Sequence, residues 1–163
     1  MSLLAYVALG ANLGEPVATV RAAIDALARL SGARLIAASS LYRTAPVGLK
    51  NQPDFINAVA ALEVDEAVWP APTFLAALFD IEAAFGRVRS VKNAPRTLDL
   101  DLLLYGELCL ASPQLTLPHP RLAERAFVLA PLAEIAPGLA IPGHGRVERL
   151  LARITDQRIE RLP

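Results

Sequence analysis

The segment Leu98-Asp99-Leu100-Asp101-Leu102 holds the residues whose type and spacing point most directly to chemistry. Successive side chains of an extended strand alternate faces, so the leucines go one way and both carboxylates the other. Carboxylates two residues apart lie about 6.5–7 Å from each other, close enough to ligate one Mg2+ jointly or to hold two ions roughly 4 Å apart. A bare pair of this kind also reads as the wet face of an edge strand. Here alternation carries Leu103 and Tyr105 onto the aspartates' side, so that side is not uniformly solvated. Unpaired carboxylates beside apolar groups repel each other and lose hydration, and a divalent cation relieves both.

The ten residues at 87–96 supply four cations, Arg87, Arg89, Lys92 and Arg96, directly before that strand. A basic loop alone is ordinarily solvated surface. Beside a carboxylate pair it gains a purpose: arginine forks bind phosphate oxygens bidentately, and cations next to bound magnesium neutralise a polyphosphate. Residues 116–127 add His119, Arg121 and Arg125 near a strand-to-helix junction, where helix N-termini attract anions. Phe55 and Asn57 share one strand face, an aromatic surface beside an amide that can both donate and accept. This pair suits a planar heterocycle, and equally a core ring beside a hydrogen-bonded amide.

The elements that must position these groups can be read from the same chain. Residues 4–9 form a β-rich run ending at Gly10, and Pro16 sits where a helix's first turn tolerates a missing N–H. Val17, Val20, Ile24 and Leu27 make that helix's inner stripe, and Arg21, Asp25 and Arg29 a solvated face. Residues 34–43 and 55–64 read as strands, joined by a long turn-rich connection at 44–54 that is a candidate substrate loop. A second helix covers 72–85, with Phe74, Leu78, Ile81 and Phe85 inward and Gly86 as its stop. The aspartate strand spans 98–105, followed by a helix at 121–134 and a short amphipathic segment at 146–154. Paired strands between helices predict an α+β sandwich, ferredoxin-like, with a mostly antiparallel sheet and helices packed on it. The span 1–163 is expected to form one domain.

Composition limits the partners. Sixteen basic residues balance sixteen acidic ones, so no global field draws nucleic acid or an anionic membrane. Hydrophobic residues make up 54% and charged residues 20%, with a mean hydropathy of +0.40, a composition for one buried core rather than disorder. No apolar run reaches the roughly 20 residues of a membrane helix, and the N-terminus lacks a basic signal region. The single Cys109 suits a reducing compartment, and a cytoplasmic monomer is expected. Gly10-Ala11-Asn12-Leu13-Gly14 lacks the Lys-Ser/Thr ending of a P-loop and reads as a strand-to-helix turn; protein-kinase, hydrolase and zinc signatures are absent.

Taken together, Ala-Pro-Arg-Thr-Leu-Asp-Leu-Asp-Leu-Leu at 94–103 resembles the signature of the hydroxymethyldihydropterin pyrophosphokinases. Gly10-Ala11-Asn12-Leu13-Gly14, Ser40-Leu41-Tyr42-Arg43-Thr44, Gln52-Pro53-Asp54-Phe55-Ile56-Asn57, Gly86-Arg87-Val88-Arg89 and Pro118-His119-Pro120-Arg121 are similar to further blocks of that family in the same order. The resemblance implies an enzyme of folate biosynthesis that transfers pyrophosphate from ATP to a pterin alcohol, releases AMP and uses two Mg2+ ions. It implies that Asp99 and Asp101 hold the metal and that Arg87 and Arg96 join them in catalysis. It assigns Glu82, Arg87, Arg89, Arg96, Leu102, Thr116, His119 and Arg125 to ATP, and Thr44, Pro46, Val47, Phe55, Asn57 and Phe127 to the pterin. Phe79, Asn93, Gln114 and Pro120 depart from better-known members at nucleotide or covering positions. Loops 44–54 and 87–96 are expected to close over the substrates. A nucleotidyltransferase, releasing pyrophosphate rather than AMP, and a non-enzymatic binding module are the competing readings.

Overall fold

Strand β1 (Ser2–Ala11) leads to helix α1 (Pro16–Ala28), strands β2 (Ala33–Ala38), β3 (Tyr42–Thr44) and β4 (Phe55–Asp65), helix α2 (Ala71–Ala84) and strand β5 (Asp99–Tyr105). In this computed structural model residues 2–46, 51–86 and 97–163 are described. Two short strand pairs follow, β6 (Leu110–Ala111) with β7 (Thr116–Leu117) and β8 (Ala140–Ile141) with β9 (Gly145–Arg146). Helices α3 (Ala126–Ile135) and α4 (Val147–Ala152) and strand β10 (Ile159–Arg161) complete the described elements.

The main sheet runs β10-β3-β4-β1-β5, with β2 paired to the far half of β4, and every described pairing in it is antiparallel. β4 lies between β1 and the β2/β3 pair, and β1 lies between β4 and β5. This is the split β-α-β arrangement expected of a ferredoxin-like sandwich.

Both sheet faces are covered. Ala5, Val7 and Leu9 of β1, Ala58, Ala60 and Leu62 of β4 and Leu98, Leu100 and Leu102 at β5 pack with Val20 and Leu27 of α1 and Phe74 and Leu78 of α2. The opposite face, with Tyr6, Val59, Ala61, Leu103 and Leu104, packs with Val128, Leu129 and Leu132 of α3 and Val147 and Leu150 of α4. A strand covered on both sides loses its polar alternation, which is why β4 reads as an almost unbroken apolar run. Full burial of a side chain the size of Phe74 contributes about 1.5–3 kcal/mol.

Three expectations need correction. The strand foreseen at 34–43 is broken into β2 and β3, because the Ser39 side chain takes a place in the ladder: its Oγ accepts the Val59 N–H at 2.9 Å and donates to the Ser40 carbonyl at 2.8 Å. Tyr105 does not stay on the aspartates' face. A register shift opposite Tyr6 and Val7 makes Leu103 an extra residue, which sends Leu103 and Leu104 to the α3 side and Tyr105 to the α2 side. There the Tyr105 hydroxyl donates to the Trp69 carbonyl. The helix foreseen from 121 begins at Ala126, after a 3-10 turn at Leu122–Glu124, because Arg125 is extended with φ −122° and ψ 109°.

Glu134 ties α3 to β3 and β10. Its carboxylate accepts hydrogen bonds from the Ser40 N–H at 3.0 Å, the Ser40 hydroxyl at 3.0 Å and the Tyr42 hydroxyl at 2.6 Å, and lies 3.5 Å from the Arg161 guanidinium. Burial pushes the carboxyl pKa up, but the bonds from Tyr42 and Ser40 and the charge of Arg161 outweigh it and hold it below the ordinary range. Burial and the same carboxylate push the Tyr42 phenol up to about 12. A depressed carboxyl pKa contributes stability above the unfolded value of 4.5 and loses it as pH falls through the folded one. Glu134→Gln should therefore lower unfolding free energy by about 1–3 kcal/mol at neutral pH. Urea titrations of both proteins should show the gap closing well below pH 4.5; a pH-independent gap would assign it to shape alone.

Candidate active site

On the sheet face turned toward α3, Gly10 of β1 lies opposite Asn57 of β4 on one side and Asp99 of β5 on the other, while Ala8 lies opposite Asp101. Two minimal side chains on β1 leave a recess between the functional strands β4 and β5. A cavity of about 350 Å³ occupies it, lined by Ala8, Gly10, Thr44, Ala45, Phe55, Asn57, Asp99, Asp101, Arg121, Glu124, Arg125, Phe127 and Gln157. The Asn57 amide donates to the Thr44 hydroxyl at 2.7 Å, which fixes how its carbonyl is presented. A Cβ at Gly10 would stand 3.0 Å from that Asn57 Oδ1, so only glycine leaves the amide undisturbed.

Asn12, at the end of β1, donates from Nδ2 to Gln52 Oε1 at 2.8 Å and to the Pro53 carbonyl at 3.0 Å. The segment read as a plain strand-to-helix turn thus does more. Gly10 belongs to the strand and makes room, Asn12 tethers the connection entering β4, and the turn proper comes at Gly14 with φ +64°. Residue type alone could have flagged Asn12, a polar side chain 2% exposed beside an apolar strand.

A second cavity of about 240 Å³ shares Asp101 with the first and is lined by Leu75, Phe79, Leu100, Leu102, Ser112, Pro113, Gln114, Leu115, Thr116, His119 and Pro120. It gathers Leu102, Thr116 and His119, three of the residues expected at ATP, and all three described departures, Phe79, Gln114 and Pro120. Glu82 lines neither cavity: it is buried in α2 and accepts the Leu100 N–H at 2.7 Å. Pro46 is absent from the first cavity's lining, and its neighbour Ala45 is present. Arg87, Arg89, Lys92, Asn93, Arg96 and Val47 lie outside the described residues.

Asp101 is approached by His119 Nε2 and Arg125 Nη1, each at 4.0 Å. The Arg125 guanidinium carbon also stands 5.4 Å from the Phe127 ring centroid. Burial first, then the charge of Arg125, lowers the His119 pKa to about 4 against the opposing pull of Asp99. The imidazole is therefore neutral near pH 7, and its approach to Asp101 is not an ion pair. His119 Nδ1 accepts the Arg121 N–H at 3.2 Å, which leaves the proton on Nε2, turned toward Asp101. Such a group is a hydrogen-bond donor at the carboxylates.

No group of three or more His, Cys, Asp or Glu with metal-ligand proximity occurs among the described residues. The groups that could hold a metal are the two carboxylates of Asp99 and Asp101 on one strand face. That set suits Mg2+, which binds one or two carboxylates, keeps several waters and takes its remaining oxygens from phosphate. It does not suit zinc or copper, which prefer nitrogen and sulfur.

Residues 6–137 match the family described as 7,8-dihydro-6-hydroxymethylpterin-pyrophosphokinase. The chain is 49% identical over 158 residues to the 2-amino-4-hydroxy-6-hydroxymethyldihydropteridine pyrophosphokinase of Pseudomonas aeruginosa, covering 97% of this chain and 96% of that one. The enzyme of the same description from Haemophilus influenzae is 40% identical over 158 residues, covering 97% of each. Among solved structures, wild-type Plasmodium falciparum HPPK-DHPS with pterin and p-hydroxybenzoate superimposes with a TM-score of 0.71 at 12% identity, over 94% of this chain and 42% of that one. That last likeness concerns the fold, and this chain spans less than half of that protein. The chain is an enzyme, a diphosphotransferase. It belongs to the 7,8-dihydro-6-hydroxymethylpterin-pyrophosphokinase family.

Gly10→Ala tests the floor of the first cavity. The added methyl should displace the Asn57 amide and cost about 1–3 kcal/mol, roughly 2–4 °C of melting temperature per kcal/mol. Calorimetry together with exchange of the Asn57 side-chain amide protons would read both effects; an unchanged Tm and unchanged protection would show that the strands part without cost.

Proposed function

We propose that the chain transfers the β,γ-pyrophosphoryl group of ATP to the hydroxymethyl oxygen of 6-hydroxymethyl-7,8-dihydropterin, releasing AMP, as a step of folate biosynthesis. The observation that carries the site assignment is the pair of cavities that share Asp101. The first, with rings Phe55 and Phe127 and the amide of Asn57, suits a flat heterocycle read along its polar edge. The second, with Leu102, Thr116 and His119, suits the nucleotide. Where the two meet, the pterin hydroxyl and the β-phosphorus can be brought together.

The reaction is an in-line displacement. The hydroxymethyl oxygen bonds to the β-phosphorus, the bond from that phosphorus to the oxygen bridging to the α-phosphate breaks, and the hydroxyl proton is lost to solvent. Such transfers depend on positioning and charge stabilisation rather than on a covalent protein intermediate. Asp99 and Asp101 would hold two Mg2+ ions, whose chemistry is to neutralise phosphate charge and lower the pKa of the attacking hydroxyl. The neutral His119 offers its Nε2–H to a phosphate oxygen without adding a charge that Asp101 would have to balance. Arg125 brings a permanent cation to the junction, and Phe127 beneath it confines where that cation can go. Parts for Arg87, Arg89 and Arg96 at the phosphates, and for Thr44, Pro46 and Val47 at the pterin, rest on the family resemblance. A cytoplasmic enzyme acting as one domain agrees with the free thiol of Cys109 and with helices among the described residues that are all too short or too polar to cross a membrane.

Product analysis with ATP, Mg2+ and the pterin alcohol decides the reading. Wild type should form AMP only when the pterin is present, and Asp99→Asn or Asp101→Asn should each lower turnover by about 100-fold or more. Pyrophosphate in place of AMP would make the chain a nucleotidyltransferase. Full turnover by both variants would remove the aspartates from the reaction.

A further inference from the structure

Arg125 stands at the start of α3 with no side-chain cap of its own, in extended conformation. The first N–H groups of a helix have no partner inside it, and here the first belongs to Ala126. Its acceptor comes from 31 residues further along the chain: Gln157 Oε1 accepts the Ala126 N–H at 2.9 Å. The other end of the same carboxamide, Nε2, donates to the Glu124 carbonyl at 2.8 Å. Glu124 and Ala126 flank Arg125, so one side chain grips the peptide groups on both sides of it.

We infer that Gln157 is a positioning residue for Arg125, fixing the backbone from which the guanidinium reaches the carboxylates. A carboxamide is suited to this because it accepts and donates at once, whereas an ionised carboxylate only accepts and an ammonium only donates. The extended geometry at Arg125 separates the 3-10 turn from α3, and its side chain lines the first cavity. At its tip the guanidinium is limited by Phe127 at 5.4 Å and by Asp101 at 4.0 Å. Gln157 supplies the corresponding constraint at the root. Gln157 itself lines the first cavity from the segment between α4 and β10, so the C-terminal strand and the site are joined through one residue.

Because its kinetic consequence rests on the proposed pyrophosphokinase reaction, the inference is tested by two readouts. Gln157→Leu should lower kcat/KM for AMP formation about tenfold in the wild-type background and cause no further loss in an Arg125→Ala background. Its melting temperature should fall equally in both, since the lost helix cap is common to them. An equal loss of activity in both backgrounds, or no loss in wild type, overturns the inference while leaving the reaction intact. If wild type forms no AMP, the functional reading fails by itself, and NMR still decides the positioning role. Gln157→Leu should then shift the Arg125 Nε–H resonance and speed exchange of the Ala126 amide, and an unmoved Arg125 resonance would overturn it.

Discussion

The carboxylate of Glu82 accepts the Leu100 N–H, the amide that lies between Asp99 and Asp101, and it does so at 1% exposure. Among the described residues β5 is the last strand of the sheet, so part of its backbone has no neighbouring described strand to bond. A buried carboxylate is tolerable only while hydrogen-bonded, and an unsatisfied backbone amide is likewise costly. Each therefore holds the other in place. A slip of β5 by one residue would turn both aspartates toward α1 and α2 and the leucines toward the cavity. The register that Glu82 secures is thus the condition for every other feature of the site, even though Glu82 lines neither cavity.

The bulge at Leu103 completes what that register begins. By sending Tyr105 to the α2 side, where its ring lies 6.3 Å from Phe74, it lets β5 be anchored on one face beyond the point where it is polar on the other. The Leu103 carbonyl then accepts the His119 N–H at 2.9 Å, so the extra residue that breaks the alternation also seats the imidazole beside Asp101. Helix α3 faces the same sheet surface and carries Phe127 to the opposite wall. Local irregularities at Leu103 and Arg125 are where a regular strand and helix give way beside the site.

Much of this was legible in the residues. Alternation alone put the two aspartates on one face and Phe55 with Asn57 on another strand's matching face, because side-chain direction in a strand is fixed by covalent geometry. Helix α2 and its Gly86 stop followed from apolar spacing and from a glycine that here has φ +82°. What escaped was set by contacts distant in sequence. Nothing within residues 34–43 announces that the Ser39 hydroxyl will enter the ladder of β4, and nothing near Arg125 announces Gln157. The need at Gly10 for a hydrogen in place of a side chain escaped for the same reason: it arises from Asn57, on a neighbouring strand.

The outer edge of β2 has no strand partner among the described residues. A long, flat, apolar edge of that kind is a template on which a second copy of a chain can add a strand. β2 carries Ile36 there, 45% exposed, yet its register against β4 shifts between Leu35 and Ala37, so that Ile36 is itself the extra residue of a bulge. A bulge bends and twists the strand away from the straight pairing line. Arg34, ion-paired across the strands to Glu63, sets charge beside it. The exposed Ile36 side chain on the sheet's rim therefore sits at a point where the bulge and the neighbouring charges disfavour growth by strand addition.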